Sequence, residues 1–270
     1  MAVIAAFLVP GSPLPRLKPE NPPWGHIATG YGQAARALAA ARPDVILLYS
    51  TQWIAVLDEL WQTRPRVQGL HVDENWYEYG DLPFDMRIDT EMAHACITAA
   101  RAAGVSSKGV DYDEFPIDTG TIVANHFLNP GGEIPLVIAA NNVYHNAETT
   151  ERLGQLAASV AGGLGRRVAV VGVGGLSGSI LRDEIDIAED RIARPEDDAW
   201  NRRMIDLLEH ADVARVRAAL PQFASEARAE MGFKHFSWIL GALGGAFRSA
   251  RTHAYGPVYG SGAAVIEFSV

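Results

Sequence analysis

Residues 167–179 read Arg167-Val168-Ala169-Val170-Val171-Gly172-Val173-Gly174-Gly175-Leu176-Ser177-Gly178-Ser179. The stretch Arg167–Val173 is rich in valine and shows no polar alternation. Branched side chains suit a pleated surface, and an unbroken apolar run marks a strand covered on both faces. The glycines that follow stop it. The same reading applies to Ala2–Val9, halted by Pro10-Gly11, and to Asp44–Ser50, Ile134–Ala140 and Ala263–Phe268. Amphipathic stretches lie between these runs. Gly25–Arg42 sets Ile27, Tyr31, Ala34, Ala35 and Leu38 on one face. Asp89 caps a helix over Thr90–Ala103 that Gly104 ends, and Asn146 opens another that reaches Gly162-Gly163. Strands alternating with helices predict an α/β fold with a mostly parallel central sheet flanked by helices.

The segments Asp197–His210, Ala211–Leu220, Pro221–Met231 and Gly232–Phe247 predict a largely helical region over residues 195–247. Asn75–Arg87 fits neither the helical nor the strand period, and it reads as a long surface loop rich in aromatics and acids. Its Trp76, Tyr77 and Tyr79 suit either a partner contact or local packing. The 270 residues suit one domain, spanning 1–270. The net charge of −9 argues against a phosphate backbone as partner. Cys96 is the only cysteine, so no internal disulfide exists to require an oxidising compartment. No signal peptide is legible, and no apolar run is long enough to span a bilayer. The expectation is a cytoplasmic protein that binds neither nucleic acid nor membrane.

Several motifs invite chemistry. Gly172 and Gly174 start a dinucleotide-type G-x-G-x-x-G after a strand, but Ser177 stands at the third glycine. Glycines there also serve a tight turn. Ser12, Ser50, Ser177 and Ser179 lack the G-x-S-x-G setting of a hydrolase nucleophile. His71, Asp73 and Glu74 lie close together, yet their spacing fits no strong metal signature, and an exposed polar loop accounts for them equally. His145 follows the strand Ile134–Ala140, where α/β active sites are commonly placed, but it stands alone.

Five segments, taken in order, carry a resemblance: Ala6–Gly11, Asn75–Glu78, Pro116-Ile117-Asp118-Thr119-Gly120-Thr121, Val170–Ser179 and Gly260–Phe268. Together they resemble the class III extradiol ring-cleaving dioxygenases over nearly the whole chain. Catalytic members would have His at the place of Gly11, His at Gln52 and Glu at Lys234, with His235 an alternative register for the last. Non-haem Fe(II) sites use two His and one carboxylate, and this chain offers a bare backbone, a neutral amide and a cation. The resemblance also implies two proton-handling histidines, and Thr119 and Gly178 replace them. Within that family it resembles the α-type subunits of two-subunit members that open 2-aminophenol-type rings. It therefore implies an iron-free chain with no expected catalytic or metal-binding residue. The partner would be a homologous β subunit carrying Fe(II), in an αβ heterotetramer. The vestigial pocket would hold Gly11, Gln52, Thr119, His145, Gly178 and Lys234. An alternative is an independent enzyme or small-molecule-binding protein that uses His145 and Lys234 in the altered pocket.

Overall fold

The structure is a computed structural model that describes residues 2–178 and 184–270. Ser179 lies outside the described residues. In chain order the elements are β1 (Val3–Val9), α1 (Leu14–Leu17), α2 (Pro22–Ala41), β2 (Val45–Ala55), β3 (Glu59–Gln62), β4 (Arg66–His71) and β5 (Leu82–Arg87). Then come α3 (Thr90–Ala102), β6 (Ser107–Val110), α4 (Thr119–Leu128), β7 (Leu136–Asn142), α5 (Ala147–Gly163) and β8 (Val168–Val173). The chain ends with α6 (Pro195–Glu209), α7 (Val213–Glu226), α8 (Lys234–Ala242), β9 (Ser249–Val258) and β10 (Ser261–Ser269).

Eight strands form one sheet in the order β6-β3-β7-β2-β8-β1-β10-β9. Its centre is parallel: β8 pairs in parallel with both β1 and β2, and β2 pairs in parallel with β7. The expected α/β architecture is met. Every residue of β7 and β8 is buried, because helices cover both faces. Successive side chains go to opposite layers. Ala6 and Leu8 join the core beneath α3, α5, α6, α7 and α8, and Phe7 and Val9 join the core beneath α2 and α4. Burying a large apolar side chain contributes roughly 1.5–3 kcal/mol. α5 and α8 approach so closely that a Cβ on Gly154 would lie 2.2 Å from the Trp238 carbonyl oxygen.

The sequence reading needs correction in several places. Asn75–Arg87 is not one long loop, because β5 pairs antiparallel with β4 to form a separate two-stranded sheet. β2 continues past Ser50 to Ala55, so Gln52 lies inside the strand. α7 runs through Pro221, held by its buried Val216, Ala219 and Phe223. The helix expected from Gly232 to Phe247 is shorter and begins only at Lys234. Before it, Met231, Gly232 and Phe233 all have positive φ, at 46°, 65° and 63°. Neither Met nor Phe favours that region, so no local signal announces this turn.

Candidate functional site

A cavity of about 570 Å³ opens at the carboxyl ends of β1, β2 and β8, where α/β sheets place their sites. The turn after β1, the later residues of β2, the N-terminus of α4 and the loop after β8 line it, with Glu230 and Tyr259. Gly11, Gln52 and Thr119, three of the anticipated pocket residues, meet here. The Tyr31 hydroxyl anchors the first turn by donating to the Pro10 carbonyl. Asp118 caps α4, accepting from the Thr121 amide at 2.9 Å and the Ser50 hydroxyl at 2.5 Å. That cap fixes Thr119 at the cavity wall. Its hydroxyl donates to Asp73 Oδ2 at 2.9 Å and lies 2.8 Å from His71 Nε2.

The position of Gly11 is closed by a neighbour. A Cβ on Gly11 would stand 2.6 Å from Gln52 Nε2 and 3.2 Å from the Gly120 Cα. A histidine therefore has no room there while Gln52 keeps its place. Two of the three positions where the resemblance puts ligands thus offer, respectively, no donor atom and a neutral amide.

Sequence reasoning missed Glu230, which lines the same cavity and is half-buried. Its carboxylate accepts from the Thr51 hydroxyl and from the Gly175 amide at 2.8 Å. Burial raises its pKa, opposed by those two bonds. The available signal was a single acid in the apolar setting Ala229-Glu230-Met231. Among the described residues the titratable lining is His71, Asp73, Glu74, Asp118 and Glu230, with no Lys or Arg.

Lys234 does not enter the cavity. The left-handed turn at 231–233 sends Glu230 to the cavity and Lys234 elsewhere. Lys234 Nζ donates to the carbonyls of Asn142 at 2.8 Å and His145 at 3.2 Å. His145 Nδ1 lies 3.2 Å from Glu59 Oε2, and the Glu59 side chain is 1% exposed. Burial pushes the Glu59 carboxyl upward, opposed by His145 and Lys234, and pushes the Lys234 amine downward, opposed by Glu59. His145 and Lys234 are thus brought together, but in a buried group apart from the cavity. His235, the alternative register, is fully buried with both ring nitrogens unpartnered among the described residues. Burial lowers its pKa to about 3. Gly178 is also absent from the cavity lining, its amide donating to the Arg228 carbonyl at 3.0 Å.

The glycine-rich loop makes no phosphate cradle. The amides of Gly174, Gly175, Leu176, Ser177 and Gly178 donate to Val9, Glu230, Gly262, Asn201 and Arg228 respectively, which leaves none of the loop's described amides for an anion. Gly172 is required by packing, since a Cβ there would lie 2.4 Å from the His235 carbonyl oxygen. Trp76 stacks on Tyr79 and meets Tyr259 edge-on at 4.6 Å, so local packing accounts for both Trp76 and Tyr79. Tyr77 remains exposed.

The residues expected to hold Fe(II) do not fit it: Gly11 is bare and walled in, Gln52 is neutral, and Lys234 turns away. His71, Asp73 and Glu74 are the group among the described residues whose donor atoms converge, within 4.8 Å of one another. Thr119 engages two of them, and Asp73 Oδ1 also accepts from the Asn75 and Trp76 amides at 2.9 and 3.2 Å. Those hydrogen bonds explain the cluster without an ion. No helix among the described residues is long and apolar enough to cross a membrane.

The family model described as the catalytic LigB subunit of aromatic ring-opening dioxygenase matches residues 12–266. A 2-aminophenol 1,6-dioxygenase alpha subunit from Pseudomonas sp is 51% identical over all of both chains. A 2-aminophenol 1,6-dioxygenase beta subunit from Pseudomonas sp is 28% identical, covering 99% of this chain and 94% of its own length. An uncharacterized protein from Escherichia coli K12, known as a crystal structure, superposes with a TM-score of 0.69. It shares 12% identity and covers 99% of this chain and 100% of its own, so it attests the fold alone.

Proposed function

Because the chain belongs to the LigB-type family of aromatic ring-opening dioxygenases, we propose that it is an iron-free, non-catalytic α-type subunit of a ring-cleaving enzyme. On this reading the whole chain, 1–270, acts as one cytoplasmic dioxygenase-like domain. It assembles with a homologous β-type subunit as an αβ heterotetramer and stabilises it. The β-type subunit holds the Fe(II) and opens 2-aminophenol-type rings with O₂. The observation that carries the reading is the filled ligand position. Gln52 occupies the space a histidine at Gly11 would need, and Lys234 points its cation into a backbone turn. Similarity to the Pseudomonas alpha subunit over the full length supports it.

In this proposal the residues of the old site hold structure. Asp118 ties β2 to α4 through Ser50, Thr119 ties α4 to the loop at Asp73, and Glu230 ties Thr51 to Gly175. The reading that uses His145 and Lys234 as pocket groups finds no support, since neither lines the cavity. Ring cleavage of 2-aminophenol by the purified chain, the β-type chain and their mixture tests the proposal. It requires turnover in the mixture and none from this chain alone. Turnover by this chain alone overturns it.

A further inference from the structure

The far end of β2 carries an apolar face that neither the cavity nor the fold explains. Ile54 and Ala55 pair with Asn141 and Asn142 of β7, and the Val143 amide donates to the Ala55 carbonyl at 3.0 Å. These bonds join the end of β2 to the turn after β7. Outward from that junction point Ile54, Val56, Leu57, Val143 and Tyr144, exposed by 45%, 51%, 87%, 40% and 79%. Met231, 42% exposed, sits with Ile54 at the cavity rim. These six are the larger part of the ten exposed large apolar side chains among the described residues. Scattered apolar side chains need no explanation, but a contiguous group marks an interaction surface.

The face is held from beneath. Lys234 clamps the Asn142 and His145 carbonyls, and Asn142 Oδ1 accepts from the Tyr144 amide at 3.0 Å. His145 in turn reaches Glu59, two residues beyond Leu57. One group of buried Lys234, half-buried His145 and buried Glu59 therefore supports both arms that display Leu57 and Tyr144. A turn whose backbone is already held loses little freedom on binding, which is how preorganisation raises affinity.

We propose that this Leu57–Tyr144 face is where the β-type subunit docks, an inference that rests on the assembly reading above. Both named subunits of the Pseudomonas enzyme align with this chain nearly end to end. Chains of one fold are able to meet through equivalent faces about a pseudo-twofold axis. Between two copies of this chain a net charge of −9 on each opposes association. Lys234 then serves assembly: it stands where the resemblance puts an iron carboxylate and holds the docking turn.

The test is the affinity of this chain for its cognate β-type chain, by native mass spectrometry and titration. Leu57→Arg and Tyr144→Ala variants are each expected to weaken the complex at least about 30-fold while keeping the wild-type melting temperature, as for central interface anchors. Tyr77→Arg, on the aromatic loop, is expected to bind like wild type. If the wild-type pair assembles and both face variants bind as tightly, this inference falls and the assembly reading stands. If only Tyr77→Arg weakens binding, the docking face lies at the aromatic loop and the inference is overturned. If the variants abolish only self-association, the occupant is a second copy and the inference is likewise overturned. If the wild-type pair does not associate, both readings fall.

Discussion

Lys234 holds an ammonium group in a place with 7% exposure, and its partners explain how. Two backbone carbonyls accept its protons, and the buried Glu59 carboxylate balances its charge. Lys234→Met keeps most of the volume but orphans both carbonyls and removes a cation that favours the Glu59 carboxylate. Breaking a buried charged group in this way costs about 2–4 kcal/mol, and urea unfolding at neutral pH measures it. An unchanged midpoint would show that the clamp contributes nothing. His235 makes an opposite kind of prediction, since it gains from being neutral. Its pKa falls to about 3 on burial, against an ordinary value of 6.5. As pH drops below the ordinary value, the unfolded chain takes up a proton that the folded chain refuses, so stability is lost on acidification. The loss attributable to this ring is roughly 2 kcal/mol between about pH 7 and about pH 5. Glu59 and Glu230, whose pKa values are raised, act in the opposite sense and gain stability over acid pH. His235→Leu isolates the ring's share, and its unfolding free energy is expected to depend less steeply on acid than that of wild type.

At the scale of elements, α8 packs tightly on α5. Its close approach to α5 depends on two glycines that face the opposing backbone. A Cβ on Gly241 would lie 1.8 Å from the Glu151 carbonyl oxygen, and one on Gly154 2.2 Å from that of Trp238. Gly241→Ala therefore forces the helices apart, and a loss of about 3 kcal/mol is expected in a thermal or urea melt, at the upper end for overpacking. A melt within experimental error of wild type would refute that contact. The ease with which elements were read follows their physics. β1, β7 and β8 are buried on both faces and show as continuous apolar runs. α3 and α5 announce themselves by caps, with Asp89 accepting from Met92 and Asn146 from Thr149. β4, β5 and β9 lie at edges or in the small sheet, where exposed positions such as Gln68, Pro83 and Arg251 hide the strand period. In the site, Gly11, Gln52 and Thr119 were legible through the resemblance rather than through local pattern: Gln52 lies inside β2, not after it, and Thr119 opens α4, a helix the sequence reading did not place. The separation of Glu230 from Lys234 was not, because it depends on a left-handed turn built from Met231 and Phe233.

At the scale of the whole molecule, two cores on a mostly parallel sheet preserve a dioxygenase frame around a cavity whose anticipated ligand positions are filled or redirected. Gln52 closes the place beside Gly11, Thr119 serves a hydrogen-bond network, and Lys234 clamps a surface turn. A frame kept in this way suits a chain retained for association. The proposed division of labour puts all the iron in the β-type subunit. Metal analysis of this chain purified alone after Fe(II) loading, beside its complex with the β-type chain, tests that division most directly. The expected result is substoichiometric iron in the isolated chain and stoichiometric iron, counted per β-type chain, in the complex. Stoichiometric iron retained by the isolated chain would contradict it.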